Sequence, residues 1–121
     1  MFARNVCPIN YDLLCNQTVT VYHKTADAVI RTVHEKAFFE FKKTQNVDKT
    51  SRKEANSFLL VIPGNTQSVF NGDKVLEGSG PEISLDEWPA FNPKEVQQLV
   101  VVSYADPKRW NSEIVHTEAG G

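Results

Sequence analysis

The chain is poor in the residues that would fix its chemistry or its address. Of its 121 residues only two are cysteines, Cys7 and Cys15, so neither a disulfide framework nor a four-cysteine zinc site is expected, and both are read as free thiols. Long hydrophobic runs are missing as well. The longest, Phe58 to Ile62, has five residues, far short of a membrane span, and the start, MFARNVCPINYDLL, lacks the apolar core of a signal peptide. These lacks point to a protein made in a cytoplasm and not bound to a membrane. There is no excess of one charge either: 13 basic against 15 acidic residues exclude a globally basic nucleic-acid binder while leaving local patches open.

What the chain does have is strand signal. Phe58-Leu59-Leu60-Val61-Ile62, stopped by Pro63-Gly64, reads as a strand covered on both faces. After Gly72-Asp73 a second strand runs over 74–78, and the two read as a hairpin. Upstream, Thr18 to Lys24 is rich in β-branched residues, with Val19 and Val21 on one face and Thr18, Thr20 and Tyr22 on the other. Residues 28–43 alternate, placing Val33, Ala37, Phe39 and Phe41 opposite His34, Lys36, Glu40 and Lys42. Downstream, Leu99 to Tyr104 reads as a strand ended by Asp106-Pro107, with Trp110 in the next turn, and EIVHTE as a last strand. Ser84 with Glu87, Asn92 with Pro93, and Tyr11 to Cys15 each suit one helical turn.

The count is about six strands and one or two short helical turns, with no helix long enough to cross between parallel strands. A mainly β fold follows: a small antiparallel β-barrel, or a sandwich, closed around Phe39, Phe41, Leu60, Ile62, Val75 and Val101. We divide the chain into an N-terminal extension, 1–17, and one barrel domain, 18–121.

Chemistry-bearing motifs are weak. His23, His34 and His116 have no ligand partner at strand spacing, Ser79 has no strand-to-helix elbow, and Gly72, Gly78 and Gly80 flank a strand where a phosphate loop needs a helix. The acids Glu82, Asp86 and Glu87 beside Trp88 fit a helix first turn better than a catalytic pair. No enzyme activity, metal or cofactor is expected.

Charge is the more informative feature. Residues 42–53 carry five basic residues, Lys42, Lys43, Lys49, Arg52 and Lys53, against Asp48 alone, and read as a long, mobile basic loop. Glu77, Glu82, Asp86 and Glu87 form an acidic shoulder further on. A basic loop and an acidic shoulder on one molecule suit a head-to-tail contact between copies.

The blocks VTVYHK, HEKAFFEFKK, FLLVIPG, GDKVLEGSGPEI, EWPAF, LVVVSYADPKRW and EIVHTEAGG resemble a family of small structural proteins of tailed phages and prophages of Gram-positive bacteria. The resemblance runs from Val19 to Gly121. It implies a minor capsid or head-tail connector role of the head-completion, or stopper, class: a small barrel in a ring of roughly six or twelve copies, which closes the DNA-filled head at the virion neck. Its partners would be further copies, the portal and adaptor proteins, the tail terminator and packaged double-stranded DNA, without membrane. The alternatives are a tail-completion or other minor virion protein, or a small-barrel nucleic-acid binder that stacks bases on Tyr22 and Phe38.

Overall fold

The computed structural model describes residues 10–44 and 55–121. Alternation and β-branching give β1 (Gln17–Lys24) and the sixteen-residue β2 (Val29–Thr44), joined through a turn in which the Thr25 hydroxyl donates to Ala28 O at 2.9 Å. The rest are β3 (Ala55–Pro63), β4 (Lys74–Glu77), β5 (Val100–Val101), β6 (Tyr104–Trp110) and β7 (Glu113–Gly120). All pairings are antiparallel, in the order β5-β4-β1-β2-β3-β7-β6. Across the described residues the fold is thus a small, mainly β barrel of seven strands.

Two features curl the sheet. The first half of β2 pairs with β1 and the second with β3, and between them the register slips: Val19 faces His34 but Gln17 faces Ala37, one residue more on β2 than on β1. Such a bulge bends the strand and switches which side chains point inward. The second feature is the corner between β5 and β6. The two edge strands are consecutive in sequence, and Val102 N donates to Asp73 O at 2.8 Å on one side while Ser103 N donates to Gly120 O at 2.8 Å on the other. One short segment therefore holds both ends of the sheet together.

Val19, Val21, Ala37, Phe39, Phe58, Leu60, Ile62, Val69, Val75, Val100, Val102 and Ala119 fill the interior. A second apolar layer, Tyr22, Phe91 and Leu99 with Val29, Leu76, Ile83, Trp88 and Val96, lies outside β1 and β4 under the excursion 78–99, which covers them as a cap. Gly72 and Gly78, at φ 93° and 87°, turn the chain on either side of β4.

Several expectations change. β3 and β4 do not form a hairpin: β3 pairs with β2 and β7, and β4 with β1 and β5. Phe41 and Val101, expected in the core, are each 40% exposed, because Phe41 lies at the barrel rim and Val101 faces away from the interior. Tyr22, on the face opposite Val19 and Val21, is fully buried too and donates its hydroxyl to Pro81 O at 2.6 Å, since the cap covers that face. His34 shares the inward side with Val19, and Val33 does not share the side of Ala37 and Phe39; the bulge reverses the alternation between them. Pro107 does not end a strand but lies within β6, where the missing N–H is tolerated at a sheet edge. Trp110 closes β6, and the turn is Asn111-Ser112, both at positive φ as a two-residue hairpin turn requires.

Of the helical turns, Leu85–Glu87 is a 3-10 turn in which Glu87 Oε1 accepts from Ser84 N at 2.8 Å, and α1 (Tyr11–Leu14) is capped by Asn10. At Asn92 the side chain accepts from Lys94 N and Glu95 N, but only a turn results.

Candidate assembly surfaces

The pairing of β2 with β3 continues through Thr44 and Ala55, whereas β7 stops pairing with β3 at Leu59. Phe41↔Phe58 to Thr44↔Ala55 are therefore rungs beyond the last β7 partner; Phe58 still packs in the interior, and from Lys42↔Ser57 onward the two strands form a hairpin that leaves the barrel. Lys42 and Lys43 lie on this projection, paired through their backbones with Ser57 and Asn56. Lys49, Arg52 and Lys53 belong to the connection at its tip and lie outside the described residues, as does the expected mobility of that loop; Cys7 and the start of the extension do too.

Glu77, Glu82, Asp86 and Glu87 are all exposed. Glu77 ends β4, Glu82 and Asp86 lie on the cap, and Glu87 holds Ser84 N. None of the four forms an ion pair among the described residues. The basic residue nearest them in sequence does not offset them, because Lys74 is buried. Its Nζ donates to Trp88 O at 2.8 Å and Phe91 O at 2.5 Å and lies 4.1 Å from the Trp88 ring centroid. Burial lowers its pKa. The side chain clamps the cap to the barrel, and its place opposite Tyr22 on the outer face of β4 makes that possible. Alternation shows which face Lys74 occupies; nothing in the sequence shows that the cap covers that face.

His23 is the second feature that spacing does not reveal. Its Nδ1 lies 2.6 Å from Asp73 Oδ1, fifty residues away, while Asp73 Oδ2 accepts from Phe70 N at 2.9 Å. An oriented imidazole is half of a general-base arrangement. Its ring meets Phe70 at 5.3 Å, and among the described residues no hydroxyl or thiol bonds to it, so the pair ties β1 to the turn before β4. Ser79 accepts from Arg31 at 3.2 Å, and Cys15 is a free, buried thiol whose pKa burial raises. Beside Glu82, Asp86 and Glu87 the Trp88 ring is taken by Lys74. Among the described residues no cluster of three His, Cys, Asp or Glu side chains is placed to hold a metal.

The end of the N-terminal extension rests on the outer face of β3 and β7. Tyr11 Oη bonds His116 Nδ1 at 2.5 Å, with the rings edge to face, and Cys15 Sγ lies 3.9 Å from Val61 O.

His34 and His116 both have pKa values lowered from the ordinary 6.5. Burial is the cause for His34; for His116 burial dominates, Glu118 pulls the other way and Lys108 adds to the lowering. Below pH about 6.5 the unfolded chain thus binds protons that the folded chain resists, so stability falls until the folded values are reached and then levels off. Among the described residues His34 Nε2 is buried without a hydrogen-bond partner. The urea midpoint is expected to drop between about pH 7 and pH 5, and His34→Leu to reduce that drop and raise the midpoint at both. A drop as steep in the variant as in the parent refutes this role for His34.

A model of one protein family matches residues 14–121, and its description is of a family of unknown function. No curated protein and no solved structure matches the chain.

Proposed function

The chain belongs to that family, DUF6751, and from this premise we propose that it is a virion protein of a tailed phage, a head-completion or stopper-like connector at the neck. The observation that carries the reading is the projecting β2–β3 hairpin, whose described part holds Lys42 and Lys43 and whose connection holds Lys49, Arg52 and Lys53. A rigid barrel with a basic arm suits a ring component. The barrels pack against one another, while the arms reach into a DNA channel or onto the acidic shoulder of the next copy. We favour the channel, because Thr44, Gln45, Asn46, Thr50 and Ser51 supply a polar lining and no apolar anchor. Portal or adaptor proteins on one side and the tail terminator on the other complete the neck.

Base stacking on Tyr22 and Phe38 is disfavoured: Tyr22 is buried beneath the cap, and Phe38 is half-buried.

Deleting the gene from a phage that encodes it is expected to leave free tails and heads that fill and then lose their DNA. Changing Arg52 and Lys53 to Glu should give particles that assemble and leak. If particles of the deletion strain carry tails and retain DNA, the neck assignment is wrong.

A further inference from the structure

Residues 10–16 lie on the outside of the barrel, yet they cover side chains that would otherwise face water. Val61 and His116 alternate with the inward-facing Leu60, Ile62 and Thr117, so both point outward, and they are nonetheless only 5% and 7% exposed. Tyr11 bonds the His116 ring and meets it edge to face, and Cys15, itself buried, sets its Sγ 3.9 Å from Val61 O. The rest of the segment holds on loosely. Cys15 is its one buried side chain, Leu13 is 76% exposed, and Asp12 meets Lys36 at 3.4 Å with both side chains largely in solvent, where such a pair adds little. Its base is firm by contrast: the Gln17 amide donates to Phe39 O at 3.1 Å and accepts from Phe39 N at 3.0 Å, which fixes the start of β1 to β2.

We propose that residues 10–16 are a strap that lifts as a unit, hinged at Asn16, while the barrel stays folded, and that protonation of His116 drives it off. Segments with few buried contacts open at far lower cost than the whole fold, and the Gln17 clamp stops the opening from spreading into β1. His116 supplies the trigger. In the neutral imidazole one ring nitrogen accepts a hydrogen bond, whereas the imidazolium donates from both, so the protonated ring no longer accepts from the Tyr11 hydroxyl. The groups that face His116 are Tyr11 on α1, Lys108 opposite it on β6 and Glu118 two residues on; its partner on β3, Pro63, carries no charge, and Asp12 is engaged with Lys36. Glu118 favours a positive ring and Lys108 opposes one, but burial is the largest influence and holds the ring neutral. Lifting the strap removes that burial, so the open form binds the proton more readily, and the share of open strap grows as the pH falls below about 6.5.

In a Cys7→Ser chain Cys15 is the one thiol, and it reacts with a pyridyl disulfide only when uncovered. Dividing its rate by that of the same chain in denaturing urea at each pH removes the titration of the thiol itself. Between about pH 7.5 and pH 5.5 the ratio is expected to rise at least about threefold, with a ceiling of roughly tenfold for one proton taken up near 6.5. In His116→Phe, which keeps a ring under the strap but does not titrate, it should stay flat. Tyr11→Ala should raise the ratio about tenfold at pH 7.5 while leaving the urea midpoint close to that of the parent. A rise as steep in His116→Phe as in the parent, or a rise in neither, overturns the proton trigger. A Tyr11→Ala ratio that grows only as far as the midpoint falls shows Cys15 to be bared by unfolding of the whole chain and overturns the strap. The inference uses no part of the neck reading, which the phage experiment decides separately.

Discussion

Leu60→Ala is expected to cost about 2 to 5 kcal/mol and to lower the thermal midpoint on the order of 10 °C. Leu60 is fully buried at the centre of β3, between its cross-strand partners Phe39 and Ala119, and its removal leaves a cavity that neighbours on three strands cannot close. Against a total stability of roughly 5 to 15 kcal/mol the loss is large. Val101→Ala supplies the contrast: facing away from the interior at 40% exposure, it should change stability by no more than about 0.5 kcal/mol. Similar losses from both would mean that the interior is not where β3 and β7 place it.

Lys74→Ala should have the next largest effect, of a different kind. It strands the carbonyls of Trp88 and Phe91 and removes the ammonium from the Trp88 ring, together about 3 kcal/mol. The cap is the part that depends on those bonds, so it should open before the barrel unfolds. Amides of Phe91, Val96 and Leu99, each bonded within the cap, are expected to exchange faster while those of β1 and β3 keep most of their protection. Unchanged cap exchange would assign its hold to Phe91 and Leu99 alone.

How much of this can be seen in the sequence depends on the range of the interaction. Leu60, Ile62, Phe39 and Val75 are buried as their local patterns indicate, and Ser84 with Glu87 closes its turn as the spacing implies. Partners are another matter. Phe58–Ile62 and Lys74–Glu77 are both strands, yet the interval between them spans the sheet, and nothing local says that one seeks β7 and the other β1. The bulge at 35–36 turns a correct alternation inside out for His34 and Val33, because a single unpaired residue carries no compositional mark. The cap has the same effect on Tyr22 and Lys74: an alternating strand looks half-open until a segment 14 to 17 residues from Lys74, and 59 from Tyr22, is known to lie over it. On the surface, charge marks Glu77, Glu82, Asp86 and Glu87 directly, but a pocket by Phe41 arises only where distant segments of the chain meet.

One feature of β6 bears on what happens when many copies crowd together. It is an edge strand carrying Pro107, and its neighbours along the edge include Asp106, Lys108 and Arg109; the other edge, β5, is two residues long. An uncovered strand with a regular row of free N–H and C=O groups is a template for runaway fibre growth. Here the row is interrupted by a residue without an N–H and flanked by charges, and the opposite edge is too short to seed anything. High local concentration can therefore press these molecules together without zipping their backbones into one continuous sheet, which leaves side-chain contacts, reversible and correctable, to decide how the copies are arranged.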